Sequence, residues 1–227
     1  MQGNVVSHGG DLGDCLAALP ALKLLGGGEL VLWPSDRVRE AWFPKKVDRV
    51  RPFLEMQPFV HAVRYAEKPE GVALDRWRYV RVRSRLRREK RNIIDWHTDA
   101  LELPRWNPED AWLCVDRPER VAATVFNRTL RYRGYGMKGA VTQYGADAVF
   151  LGTPDEHSSF LHDCGELRHL ETPTLLDAAR VIAGASRYCG NQSSLLWVAM
   201  GLGVPVCVEE WAVDQNCRLA RASYTAL

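Results

Sequence analysis

Three stretches of this 227-residue chain combine residue types and spacings that could do chemistry. The first is "HGGDLGDCLAALPALKLLGGG", from His8 to Gly28, where Asp11 and Asp14 stand three positions apart at the head of an apolar pattern. A carboxylate held at the start of a helix can take the proton of a hydroxyl. The glycines also suggest a phosphate loop, but their spacing does not match G-x-G-x-x-G. The second stretch is "RYCGNQSSLLWVAMGLGVPVCVEE". Its polar loop, Asn191-Gln192-Ser193-Ser194, opens an apolar helix, and free backbone amides at a helix start favour an anion such as phosphate. The plainer reading is that Ser193 or Ser194 caps that helix. The third is "FNRTLRYRGYGMK" over 126–138, which offers Arg128, Arg131, Arg133 and Lys138 after a strand. Guanidinium forks fit a diphosphate, while the plainer reading is a solvated basic loop.

The elements that must position these groups can be read from periodicity. "NVVSHG" is a buried strand ending in glycine. Leu12, Leu16, Leu19, Leu22 and Leu25 keep helical spacing up to three glycines that stop a helix. "ELVLWPS" is the next strand, so a βαβ unit and a parallel sheet are expected. Residues 36–60 predict short helical pieces, with "HAVRY" (61–65) and "RYVRVRS" (78–84) as strands. "NIIDWHTDALEL" (92–103) reads as a helix and "AWLCVD" (111–116) as a strand. The pattern restarts after "RPER" (117–120). Strands are expected at 121–127, 146–152, "RYCGN" and 204–210, with helices at 174–185 and 192–203. Two α/β halves result, 1–118 and 119–227. Ligands of open α/β sheets bind beyond the carboxyl ends of the strands, which is where Asp14, Arg128 and Ser193 fall.

Bulk properties exclude several classes. The net charge of +2 sets up no field that commits the chain to nucleic acid. No run approaches the roughly 20 apolar residues of a spanning helix, and the N-terminus lacks the basic flank and apolar core of a signal peptide. The six cysteines are scattered without a C-x-x-C pair, which reads as reduced thiols in a cytoplasmic protein.

The motifs resemble those of glycosyltransferase family 9, the ADP-heptose:lipopolysaccharide heptosyltransferases. Leu12-Gly13-Asp14-Cys15-Leu16-Ala17-Ala18-Leu19-Pro20-Ala21-Leu22 is similar to the family's L-G-D-hydrophobic-L-x-x-L-P-A-L helix start. Gly190-Asn191-Gln192-Ser193-Ser194-Leu195-Leu196-Trp197, followed by Ala199 to Pro205, resembles its G-N-D-S-G-L-M-H and A-A-A-L-G-V-P signature. "VFLGTPDEH" (149–157) resembles its G-G-P-x-E/D turn. The resemblance implies a GT-B-like α/β architecture of two Rossmann-like parallel-sheet domains facing across a cleft, here reduced in size. The N-terminal domain would hold the acceptor and the C-terminal one the nucleotide sugar. It implies inverting transfer without a metal or other cofactor, with Asp14 as general base and Asp11, Gly13 and His97 on the acceptor side. Donor binding would fall to Arg128, Thr129, Arg131, Gln192, Ser193, Ser194 and, at a strand end, Glu209.

The sequence departs from the family at the loop. Gln192 stands where the family has an acid, Ser194 where it has glycine, and Trp197 where it has histidine. The chain is also shorter than family members, so heptose and lipopolysaccharide do not carry over with the motifs.

Two other features stand apart. "RWRYVRVRSRLRREKR" (76–91) holds nine basic residues in sixteen. Its plain reading is a charged surface strand, and its sharper one an anionic partner, either DNA or a phosphorylated glycan. His157, His162, Asp163, Cys164 and His169 cluster without zinc-type spacing, so no metal site is expected. Two alternatives to the transferase remain: a module that binds nucleotide sugar without turning it over, and a phage-type glycosyltransferase acting on modified DNA bases. A sugar-nucleotide epimerase or hydrolase on the same scaffold is a third.

Overall fold

The computed structural model describes residues 4–36, 38, 41–77, 80, 91–211 and 216–227. The chain divides into two compact units, Met1–Trp112 and Leu113–Leu227.

Unit 1 begins with β1 (Asn4–His8), α1 (Leu12–Leu24) and β2 (Gly28–Leu32). It continues with α2 (Pro44–Glu55), β3 (Val60–Tyr65), β4 (Val72–Ala73), a 3-10 turn over Leu74–Arg76, and α3 (Ile93–Ala100). Its sheet runs β3-β2-β1-β4, and every pair is parallel. The expected short pieces in 36–60 are one helix, with Pro44 at its start and Pro52 inside it. The stretch 78–84, read as a strand, and the basic run through Lys90 lie outside the described residues, apart from Val80.

α1 is apolar on nearly all sides and buries Cys15 through Leu22. Its interior contains Pro20, which has no N–H to give the carbonyl four residues back. That carbonyl belongs to Leu16, and the indole Nε1–H of Trp112 donates to it at 3.2 Å. A residue 96 positions away thus supplies the bond that the L-P-A-L motif removes. α1 stops at Gly26 and Gly27, with φ of 87° and 84°, and Gly27 N–H closes on Leu22 O. A Cβ at Gly27 would lie 2.5 Å from Phe59 O, so glycine is required for close approach as well as for φ.

Unit 2 contains β5 (Thr124–Asn127), α4 (Met137–Tyr144), β6 (Ala148–Phe150), α5 (Pro154–Cys164) and β7 (Arg168–His169). It ends with α6 (Leu175–Gly184), β8 (Arg187–Asn191), α7 (Ser194–Gly201), β9 (Val206–Glu209) and β10 (Tyr224–Ala226). The sheet order is β10-β9-β8-β5-β6-β7, again with every pair parallel. Counted from β5, that is the 3-2-1-4-5-6 order of a Rossmann sheet, read from the opposite edge. Thr153 and Thr174 open α5 and α6 with capping boxes closed by Glu156 and Asp177.

The segment 111–116 forms no strand, contrary to the periodicity. It also belongs largely to the second unit rather than the first. Leu113 N–H donates to Gly201 O, Glu119 N–H to Arg180 O, and Asp116 pairs with Arg180. These bonds to α6 and α7 move the boundary from 118 back to 112. All six cysteines are free thiols, five of them buried.

Trp112→Phe is expected to strand the buried Leu16 carbonyl and to cost about 1–3 kcal/mol in urea unfolding. Adding Pro20→Ala should recover part of that loss, because residue 20 then supplies the helical N–H itself.

Candidate functional site

In unit 1 the chain leaves β1 at His8, turns through Gly9 and Gly10, and enters α1 behind Asp11. Asp11 takes the extended N-cap conformation without a side-chain cap bond. Asp14 lies in the first turn of α1 and is half-buried, as are Asp11 and Gly13. The amide dipoles of a helix start stabilise negative charge at that position. The two glycines are set by their neighbours. A Cβ at Gly9 would sit 2.6 Å from the Trp33 indole, and one at Gly10 would sit 2.5 Å from the His8 ring and 3.3 Å from Asp14 Cβ. His8 is fully buried and its Nδ1 accepts the Gly10 N–H at 3.1 Å, which pins the turn carrying Asp14. Sequence reasoning passed over His8; its place between a buried strand and two glycines was the available signal.

His97 is also fully buried. Its Nδ1 donates to Leu74 O at 2.8 Å, Trp77 meets its ring edge-on, and the His8 ring centroid lies 6.0 Å away. It is therefore a core residue of unit 1, and its ring is not presented to a ligand.

In unit 2 the strand order reverses between β5 and β8, the point where ligands of such sheets bind. The side chains at those two strand ends converge. Asn191 Oδ1 accepts the Thr129 N–H at 2.9 Å and the Thr129 hydroxyl at 3.3 Å. Its Nδ2 donates to the carbonyls of Thr129 and Arg131. One amide thus ties the loop after β5 to the end of β8. Ser193 N-caps α7 by accepting Leu196 N–H at 3.2 Å, so the plainer of its two readings holds for its hydroxyl. Tyr188 OH lies 3.2 Å from Ser193 Oγ and donates to Asn127 Oδ1. Burial pushes the Tyr188 phenol well above its ordinary value, so it serves only as a neutral hydrogen-bonding group. Ser194 is half-buried at the first position of α7, and Gln192 is buried just before it.

The loop arginines divide. Arg128 turns inward. Its Nε and Nη2 donate to the two oxygens of Glu209, at 2.7 and 3.0 Å, and its Nη1 donates to Asp163 at 2.7 Å. Both members of the Arg128–Glu209 pair are nearly inaccessible, with side chains 8% and 1% exposed. Burial opposes the Arg128 charge, and the Glu209 carboxylate more than restores it. All three nitrogens of that fork are therefore occupied by carboxylates, so Arg128 is not presented to a diphosphate as its sequence position suggests. Arg133 shares Asp163 at 2.9 Å and reaches Ser159. Asp163 joined the sequence picture only as a member of a metal-unlike cluster; its position nearly three turns after the α5 cap gave no sign that it faces β5. Arg131, by contrast, is exposed and lies over the Tyr132 ring. No group of three metal-ligating side chains occurs among the described residues. No described helix is long and apolar enough to cross a membrane.

Glu209→Ala is expected to leave Arg128 buried beside Asp163 alone and to cost about 3–5 kcal/mol in urea unfolding. Asp163→Ala, at the half-exposed end of the network, should cost no more than about 1 kcal/mol.

No protein-family model matches the sequence, and no curated protein does. Solved structures do match in fold. A glycosyl transferase family 9 protein from Veillonella parvula aligns over 100% of this chain and 87% of its own, with 14% identity and a TM-score of 0.59. Escherichia coli heptosyltransferase WaaC with ADP aligns over 98% and 92%, with 12% identity and a TM-score of 0.61. The dodecameric iron-containing heptosyltransferase TibC in complex with ADP-D-beta-D-heptose aligns over 99% of this chain but 63% of its own, with 13% identity and a TM-score of 0.58. The chain thus has, along its full length, the two-unit parallel α/β fold of the family 9 heptosyltransferases.

Proposed function

We propose that the protein is a glycosyltransferase that moves a sugar from a nucleotide-diphosphate donor to a hydroxyl acceptor, with inversion and without a metal. The observation that carries this reading is the full-length likeness in fold to heptosyltransferases, including WaaC with ADP. The two motif regions at the carboxyl ends of β1 and β8 add to it. In the reaction, the acceptor oxygen attacks the anomeric carbon as the bond to the diphosphate breaks. The electron pair leaves with the diphosphate, and the hydroxyl proton passes to the Asp14 carboxylate. Asp11 and Gly13 shape the turn that presents Asp14. The diphosphate is received by the α7 amides with Ser194 and Gln192, while Ser193 and Thr129 hold the loop in place. Arg128 and Arg133 act behind the site, cancelling the charges of Glu209 and Asp163, which would otherwise repel a phosphate.

A panel of nucleotide sugars tests the reading, because a ligand that binds only the native state raises Tm. At least one donor should raise Tm and support transfer. Asp14→Ala should keep the Tm shift and lower kcat/KM by about 10²–10⁴-fold. Full activity in that variant removes Asp14 from the chemistry. A second reading, a binding module without turnover, draws on Gln192 in place of the family's acid. It predicts the Tm shift with no product on any hydroxyl acceptor.

A further inference from the structure

The buried hydroxyl of Tyr188 stands between the ends of β5 and β6 and the start of α7. Tyr188 and Gly190 lie two apart on β8, so they share a face of the sheet. A Cβ at Gly190 would sit 2.7 Å from both Cε1 and Oη of Tyr188. The ring therefore lies across Gly190 and uses the space of the absent side chain. From there its hydroxyl reaches Asn127 Oδ1 at 3.2 Å and Ser193 Oγ at 3.2 Å.

The direction of each bond follows from the protons available. Asn127 Nδ2 donates to Leu151 O at 2.8 Å, which leaves Oδ1, an acceptor only, toward Tyr188. The phenol has one proton and gives it to that oxygen. Burial holds the phenol well above its ordinary value, so the proton stays in place. Ser193 must then donate to the Tyr188 oxygen, while its own oxygen accepts the Leu196 N–H at 3.2 Å. The bonds run one way, from Leu196 N–H through Ser193, Tyr188 and Asn127 to Leu151 O. Bonds in such a chain strengthen one another. The Ser193 proton is committed inward, and the first-turn N–H groups that this cap leaves open are those of Ser194 and Leu195.

We propose that Tyr188 is a positioning residue for the diphosphate: through Ser193 it fixes the first turn of α7, whose amides receive the phosphates in the donor reading on which this inference rests. The relay lies wholly within unit 2.

The test compares four variants of the full chain. Tyr188→Phe removes one oxygen and keeps the ring; beside it stand Ser193→Ala, Ser193→Thr and the double variant Tyr188→Phe/Ser193→Ala. Amide exchange followed by NMR reads the relay without a ligand. In Tyr188→Phe the Leu196 N–H should exchange about three- to tenfold faster, while the Met200 N–H in the last turn keeps its rate. Calorimetry with inorganic pyrophosphate reads the purpose of the relay. Its Kd should rise by a similar factor in Tyr188→Phe. Ser193→Thr, which keeps a hydroxyl, should restore most of what Ser193→Ala loses. Because both residues act through one chain, the double variant should bind no more weakly than Ser193→Ala alone. An unchanged Leu196 rate in Tyr188→Phe overturns the relay. Equal acceleration at Leu196 and Met200 overturns it too, since that marks a loss of stability along the whole helix. Losses that multiply in the double variant separate Tyr188 from Ser193 and count equally against the proposal. A parent chain that binds none of pyrophosphate, ADP and UDP overturns the donor reading and with it the purpose assigned to Tyr188. Failure of the relay alone is told apart by pyrophosphate binding that stays intact while the exchange rates do not move.

Discussion

Every strand pair described in the two sheets is parallel. A parallel pair needs a crossover to bring the chain back, so each strand starts at the same edge of its sheet and releases its loop at the other. Chemistry in such a fold concentrates at the releasing edge because loops, helix starts and free amides all collect there. In unit 1 that edge holds the Gly9–Asp14 turn, and in unit 2 it holds Asn127–Thr129, Asn191–Ser194 and Glu209. The cost of the arrangement is an edge crowded with polar groups, which must be paired where they are buried. Both sites show how that is done.

In unit 2 the pairing is ionic at its centre. Arg128 bridges the ends of β5 and β9, and through Asp163 it reaches α5 and Arg133. Two arginines set against two carboxylates leave the network neutral. Neutrality matters in two ways: no uncompensated charge is buried, and a phosphate approaching α7 meets helix amides without a carboxylate field against it. Gln192 fits the same logic. An acid there would add negative charge beside the α7 N-terminus, whereas an amide can donate to an oxygen.

Most of the fold was legible because its signals are local. The apolar spacing of α1, the threonine start of α6, the Val-Pro-Val strand and the glycine stops all encode their elements within a few residues. The carboxyl-edge placement of Asp14 and Ser193 followed from them. The features that were not legible depend on partners far along the chain. Arg128 looked like a phosphate ligand because its neighbours in sequence are basic; Glu209, 81 residues on, claims it instead. Trp112 looked like part of a strand, yet its role is set by the missing N–H of Pro20. The short edge strands β4, β7 and β10 carry too few residues to show a period.

The two carboxylates of unit 2 that meet Arg128 are spent on structure, and that sharpens the role proposed for Asp14. Both oxygens of Glu209 are engaged by the buried Arg128 guanidinium, so its carboxylate is held in the fold rather than presented at that edge. Asp14 is half-buried in the first turn of α1, where the amide dipoles stabilise negative charge, and its turn is pinned by His8 through the backbone. Because the pin runs from the His8 ring to the Gly10 N–H, it fixes the turn through the backbone, and a fixed turn is what the general-base role proposed for Asp14 requires.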